Sequence, residues 1–379
     1  MAVSFTRIAK RFFLFLHVGA ALLFLVAAFG SFISPQHWWG VTFLGLGFPI
    51  LLLVLIAFIF FWIIFGPRYI LISLLAMGIG YQSILRFVTL RPLPDFIDKK
   101  EAGNIRVLHW NVARFIEVNR NDNKGSRTRQ KMLDLIRKQN PDIICMSEFY
   151  KSTNPAQYNN VRYLQEELGY PYFYFGGNQI VTDEWFGQAI FSRFPIIDSA
   201  KIYFPKPGIH EALIMADVVH EGDTLRVMTT HLQSVQFRPE DYQNIEEIKD
   251  RDDSLLQNSR GILGKLKFAG QQRAVQAKLV REQVERSPYP VVLTGDFNDI
   301  PNSFTYRHIS KGMQDVFLEK GFGIGRTFTG ISPTLRIDYI LTSKDFAVMQ
   351  FQRLVRDLSD HYPLVADLKL HPPATIEKQ

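Results

Sequence analysis

In "VVLTGDFND" an apolar strand runs into two carboxylates and an amide: Asp296, Asn298 and Asp299. The pattern recurs along the chain. "LHWNVARF" ends a strand-like run at Asn111, "IICMSEFY" brings Glu148 just after another, and "VMTTHLQS" does the same with His231. "LRIDYILT" holds Asp338 inside an apolar run, and "LSDHYPLVAD" sets Asp360 and His361 just before the last one. Each residue alone has a bland explanation. Asn and Asp are common in turns, and a strand-end His or Glu is often a structural group. Asp338 is harder to dismiss, because an unpaired carboxylate in a buried strand is costly; a histidine is its natural partner. If the strand ends share one sheet edge, these groups converge on one pocket. Oxygen donors, with neither Cys nor a His pair at ligand spacing, suit a hard cation such as Mg²⁺ or Mn²⁺ rather than zinc. Such an ion orients a phosphate, stabilises developing charge and helps activate water.

The elements that must position these residues follow a Pro- and charge-rich linker at 92–104. Strands are expected at 105–110, 142–147, 187–192, 211–219, 225–230, 290–295, 336–342 and 364–370. "RTRQKMLDLIRKQN" (127–140) places Met132, Leu133, Leu135 and Ile136 at helical spacing, and further helices fall at about 159–168 and 271–286. Many strands interleaved with few helices indicate an α/β or α+β domain with packed sheets.

The ordered set Asn111, Glu148, His231, Gly295-Asp296-x-Asn298, Asp338 and Ser359-Asp360-His361 resembles the endonuclease/exonuclease/phosphatase superfamily, over residues 104–372. The resemblance implies an α+β fold, a four-layer α/β/β/α sandwich. It also implies roles. Glu148 would be the principal ligand of Mg²⁺ or Mn²⁺, with Asn111 and Asp360 completing the shell around waters. Asp296 would position or deprotonate the attacking water, and Asn298 would hold water or phosphate nearby. His361 would contact the phosphate with Asp338 fixing its tautomer. His231 would donate to the phosphate or the leaving oxygen from the opposite side. Outside this set, His109 shares a strand face with Asn111 and is expected to pack. Gln188 is a weaker substrate-facing candidate, Asp299 reads as turn chemistry, and His210 and His220 as surface groups.

The first 91 residues have another texture. The runs 12–33 and 40–65 carry no formal charge and exceed the roughly 20 apolar residues that span a bilayer core. A third candidate, 69–90, is weaker because it holds Gln82 and Arg86. Residues 1–91 are therefore read as a membrane anchor of about three transmembrane helices, and 105–372 as the catalytic domain, with a charged insertion at 235–270. The insertion either packs on the domain or lies on the membrane surface. Residues 1–100 hold eight Lys/Arg and two Asp/Glu, net +6, and the remainder 35 against 34, net +1. The basic balance thus belongs to the anchor and its flanks, and does not support a basic nucleic-acid face on the catalytic part. Arg7, Lys10, Arg11 and Arg68 favour a cytoplasmic N-terminus, which with three spans puts the catalytic domain on the outer side. Arg86, Arg91, Lys99 and Lys100 give an equal count there, and a third segment lying in the interface would make the domain cytoplasmic. The reading is a membrane-anchored metal-dependent phosphoesterase in which water attacks a phosphodiester or phosphomonoester, with a lipid headgroup or other small phosphodiester as the substrate favoured. A tethered extracytoplasmic nuclease and a catalytically silent binding protein are the alternatives. No protein partner is inferable.

Overall fold

A computed structural model describes residues 2–92, 95–117, 127–205, 212–237 and 255–371, without the side chains of 2–6 and 255–260. The chain divides into two compact units, neither continuous in sequence. One joins Met1–Thr89 with Val235–Ala274 and Asp299–His308; the other joins Leu90–Ser234, Val275–Asn298 and Ile309–Gln379.

The first unit is helical. Helices α1 (Ala2–Gly30) and α2 (Gly40–Phe65) are long and apolar enough to cross a membrane. The third expected span is not one helix. It breaks at Gly80 into α3 (Ile70–Ile79) and α4 (Tyr81–Phe87), bent by 68°. Gly80 lies so close to α1 that a Cβ would stand 2.7 Å from the Phe24 ring. Two helices thus have the length of a span, and the third is a bent pair. Lys10 and Arg68 gather over the Tyr69 ring at one end of these helices. At the loop between α1 and α2, Gln271 approaches the Pro35 carbonyl, and the Arg307 guanidinium lies 3.3 Å from the Phe32 ring centroid.

The second unit is a sandwich. Its strands are β1 (Ile105–Asn111), β2 (Ile143–Ser152), β3 (Tyr172–Phe175), β4 (Asn178–Val181), β5 (Glu184–Ser192), β6 (Ile196–Tyr203) and β7 (Ala212–His220). They continue with β8 (Asp223–His231), β9 (Val291–Asp296), β10 (Gln314–Asp315), β11 (Asp338–Thr342), β12 (Phe346–Arg353) and β13 (Leu364–Leu370). One sheet runs β12-β13-β1-β2-β5-β3, with β4 also on β5; the other runs β10-β11-β9-β8-β7-β6. Between them Val107, Cys145 and Ile190 of the first sheet meet Ile214, Val227, Val292 and Ile340 of the second in one buried cluster. Each such side chain contributes roughly 1.5–3 kcal/mol by leaving water.

Side chains alternate faces along a strand, so the neighbours of these residues point outward. There Leu108, Trp110 and Ile144 pack under Met132, Leu133 and Ile136 of α5 (Thr128–Gln139) and Val161 and Leu164 of α6 (Asn160–Glu166). On the other side, α7 (Leu255–Glu285) runs unbroken through the expected boundary near 270. Its later part buries Ala277 and Val280, and Gln276 accepts from the Gln233 N–H at 2.8 Å. Of the expected insertion, residues 238–254 lie outside the described residues, whereas 255–274 belong to the helical unit.

Candidate active site

Strand register assembles half of the site. β8 and β9 are parallel with His231 opposite Asp296, and β11 runs antiparallel to β9 with Asp338 opposite the same Asp296. Three chemically active side chains therefore stand in one row across three strands. The glycine before Asp296 has a steric cause. A Cβ on Gly295 would lie 2.4 Å from the Thr230 carbonyl oxygen, so the close approach of β8 and β9 admits no side chain there.

The facing sheet supplies the rest. β1 and β2 are also parallel, with Asn111 opposite Ser147. Between Met146 and Phe149 the pairing of β2 with β5 slips, and Glu148 sits in this bulge with a φ of 53°. Asn298 has a φ of 52°. Left-handed backbone at two non-glycine positions is strain that persists only where the surroundings hold it, and such strain clusters at functional sites. A bulge next to a site re-aims a side chain that the regular pleat would direct elsewhere.

The side chains converge. The Asn111 amide nitrogen donates to Glu148 Oε1 at 3.2 Å and to Asp296 Oδ2 at 3.1 Å, while its oxygen accepts from the Ala113 N–H. His231 Nε2 lies 3.6 Å from Asp296 Oδ2 and 4.0 Å from Glu148 Oε1. The Asn298 N–H donates to Asp296 Oδ1 at 2.8 Å, and its side-chain amide donates to the Leu232 carbonyl. His361 Nδ1 meets Asp338 Oδ2 at 2.8 Å, and its Nε2 lies 3.7 Å from Asp296 Oδ2. Thr327 Oγ1 accepts from the N–H groups of both Ile337 and Asp338, fixing the start of β11. Ser359 Oγ donates to the Asn111 carbonyl, tying the segment before β13 to β1.

These contacts set the charges. Asp296 is raised above the usual carboxylate range, first by burial and then by the nearby Asp338; His361, His231 and the Asn298 N–H oppose this without reversing it. Burial would raise Asp338 too, but His361 and His109 hold it below the usual range. Burial opposes charge on His361, yet Asp338 and then Asp296 overcome it and push its pKa up to about 10. At neutral pH His361 is an imidazolium in an ion pair.

Seven of the eight expected residues meet in this network. The exception is Asp360, which is exposed and whose Oδ1 lies 3.1 Å from Ser359 Oγ. Asp299 makes its turn bond to the Ile300 N–H and also pairs with Arg273 at 3.2 Å. His220 is half-buried against the Phe194 ring, and His210 lies outside the described residues. Gln188 is buried opposite the Glu148 bulge, its Oε1 without a hydrogen-bond partner. Sequence reasoning missed His109. It does more than pack: its Nε2 lies 3.4 Å from Asp338 Oδ1. The signal was available, since His109 is two residues from Asn111 on the same strand face.

The donor atoms of Asp296, Asp338 and His361 lie within 4.8 Å of one another. Asp338 and His361 are already spent on each other, so this trio reads as an ion pair beside a carboxylate rather than a metal cage. Glu148 is different. It is half-exposed, with the Asn111 amide and His231 Nε2 between it and Asp296. The oxygen chemistry of Glu148 and Asn111 fits a hard divalent cation.

Known proteins agree with this architecture. Residues 108–361 match the Endonuclease/Exonuclease/phosphatase family, and residues 10–87 match a domain of unknown function, DUF8431. No curated protein matches the chain. An endonuclease/exonuclease/phosphatase from Beutenbergia cavernae is 19% identical with a TM-score of 0.50, covering 71% of this chain and 72% of its own. The human Nocturnin catalytic domain with bound sulfate is 20% identical with a TM-score of 0.50, covering 73% and 97%. At these identities the likeness speaks for the fold. With the family matched over more than half its length, the chain belongs to the endonuclease/exonuclease/phosphatase family.

Proposed function

We propose that this chain is a membrane-anchored, divalent-metal-dependent phosphodiesterase whose substrate is a lipid headgroup or other small phosphodiester. The observation that carries the reading is the convergence of Asn111, Glu148, His231, Asp296, Asn298 and the Asp338–His361 pair at one end of the sandwich. Glu148 and Asn111 would hold Mg²⁺ or Mn²⁺, with Asp360 reaching it through water. When bound, the cation neutralises phosphate charge and favours attack by water.

The chain's own residues supply the remaining chemistry. Asp296, its pKa raised, is suited to take a proton from the attacking water, and the Asn298 N–H fixes which way its carboxylate points. The His361 imidazolium, held by Asp338, faces the phosphate with a charged donor. His231 stands in register beside Asp296 and serves the phosphate or the leaving oxygen. Proton transfer by a positioned group is typically worth ~10²–10⁴-fold.

The anchor reading takes α1, α2 and the bent α3–α4 pair as three spans. With the basic N-terminus and Arg68 inside, the opposite end of these helices lies outside. Three spans then place the chain that follows them on the outer side. The near-neutral balance of residues 101–379 weighs against a duplex-DNA enzyme, which relies on many Lys/Arg phosphate contacts.

The test uses the full chain in lipid nanodiscs with Mg²⁺. Release of headgroup or phosphate is measured from phospholipids, sphingolipids and inositol phosphates, and cleavage of single- and double-stranded DNA is measured alongside. Lipid turnover that Glu148→Gln abolishes supports the reading. Turnover of DNA alone would make the protein a tethered nuclease, and no turnover of any substrate would sink the enzyme assignment.

A further inference from the structure

We propose that His109 is a positioning residue of this site, completing a His–Asp–His arrangement in which Asp338 is held through both oxygens. The proposal rests on the reading of the site as a phosphodiesterase, and it assigns work to a residue outside the family-like set.

Both oxygens of Asp338 are used, one by each histidine: His361 Nδ1 at 2.8 Å on Oδ2 and His109 Nε2 at 3.4 Å on Oδ1. His109 lies on β1 and His361 in the segment before β13, both belonging to the first sheet's side, whereas Asp338 begins β11 of the second. His109 is fully buried, and Asp338 nearly so, so solvent does not compete for either contact. An ionised carboxylate only accepts, so both histidines must turn an N–H toward it. That places a proton on His109 Nε2. The longer of the two contacts has room to shorten, as hydrogen bonds at such sites do when substrate binds.

On its own sheet His109 is flanked by Leu364 and Cys145 of the apolar cluster, so it stands at the boundary of that core. Two residues deeper on the same face, Val107 lies in the apolar cluster between the sheets. Beyond His109, toward the site, the strands beside it and across from it turn polar. Ser147 follows Cys145 by two residues, Gln188 precedes Ile190 by two, and Thr229 follows Val227 by two. All three are buried. His109 Nδ1, Ser147 Oγ, Gln188 Oε1 and Thr229 Oγ1 each lack a hydrogen-bond partner. A layer of hydroxyls, an amide and an imidazole, placed between the apolar core and the reacting groups, is the environment of ordered water. A histidine retained there with one nitrogen on Asp338 is aimed at that carboxylate, since packing alone would be served better by an apolar residue.

The consequence is mechanical. With a single contact, Asp338 can rotate about its Cβ–Cγ bond and carry His361 with it. With two, its plane is set, and His361 Nε2 is held at its place beside Asp296. Residues that orient a site through a neighbour typically contribute 10–100-fold.

The experiment compares wild type, His109→Gln, His109→Asn and His109→Leu as full-length proteins in nanodiscs. Bis(p-nitrophenyl) phosphate with Mg²⁺ is the probe, and thermal unfolding is measured alongside. Gln and Asn have the same chemistry and differ by one methylene; only the longer amide can reach Asp338 from this position. The expected result is a kcat for His109→Gln within about threefold of wild type. His109→Asn and His109→Leu should fall about 10–100-fold, with KM nearly constant. If Gln and Asn variants share one kcat, or if their losses follow their melting temperatures, His109 is only structural. An inactive wild type would instead overturn the reading of the site itself.

Discussion

Two buried histidines, one in each unit, show how local surroundings decide what such a residue can be. His17 sits among α1, α2 and α3, its Nδ1 accepting from the Trp62 N–H at 2.9 Å and its Nε2 2.7 Å from Ser73 Oγ, which donates onward to the Leu55 carbonyl. Every partner is neutral, and a ring nitrogen that accepts from an N–H carries no proton, so His17 is an uncharged pin across three helices. His361 has equally little solvent but meets Asp338, and it becomes an imidazolium. An apolar helical bundle offers no counter-charge and must satisfy its histidine with hydrogen bonds. A sheet edge that collects carboxylates can keep one charged. The first arrangement suits a structural joint, and the second suits contact with phosphate.

The comparison can be broken at several points. The largest effect should come from Asp296→Asn. Hydrolysis should fall by about 10²–10⁴-fold, because the group that takes the proton is gone. Its melting temperature should hold or rise, since a buried carboxylate next to Asp338 is replaced by a neutral amide. A variant with unaltered turnover would remove Asp296 from the chemistry.

Asp338→Ala should cost stability as well as rate, on the order of 3 kcal/mol at acidic to neutral pH, because it strands a buried charge. Here the sign matters. His361 has a folded pKa raised from the ordinary 6.5 to about 10, so its pairing stabilises fully below pH 6.5 and is lost as pH rises through 10. In metal-free buffer, the gap in melting temperature between wild type and variant should be widest near pH 6 and shrink toward pH 10. A gap independent of pH would show that His361 is neutral.

His17→Leu sharpens the other side. Interhelical hydrogen bonds in membranes average about 0.6 kcal/mol and reach about 1.7. The loss should therefore be modest and show no dependence on pH between 6 and 9, as read by reversible unfolding in detergent. The smallest effect is chemical silence. Burial pushes the Cys145 thiol up to about 12, so the native protein should resist alkylation by iodoacetamide at pH 9 and react only after unfolding. Rapid labelling would place Cys145 outside the packed core between the sheets.

Much of the site was legible along the chain because apolar strands that end in Asn, Asp or His are visible without partners. The long central strands were legible for the same reason, since burial on both faces makes them continuous apolar runs. The edge strands β3, β4, β6 and β12 were not foreseen. "IIDSAKIY" and "FAVMQFQR" bury few or irregular positions, so no clear alternation marks them. The bend at Gly80 was hidden in a run whose hydropathy suits one span; at the bend the Phe24 ring, far earlier in the chain, leaves no room for a side chain.

By itself the sequence determined which segments bury apolar surface and which residue types stand at their ends, because both follow from local pattern. Two long apolar runs and a set of acid-, amide- and histidine-tipped strands are properties of neighbouring residues. Only the tertiary structure decided that His231, Asp296 and Asp338 share one row, that a bulge swings Glu148 toward Asn111, and that His109 meets Asp338 across the sandwich. Inter-sheet contact joins His109 and Asp338, 229 positions apart. Their energies arise from packing two faces together, and no window of local sequence contains both.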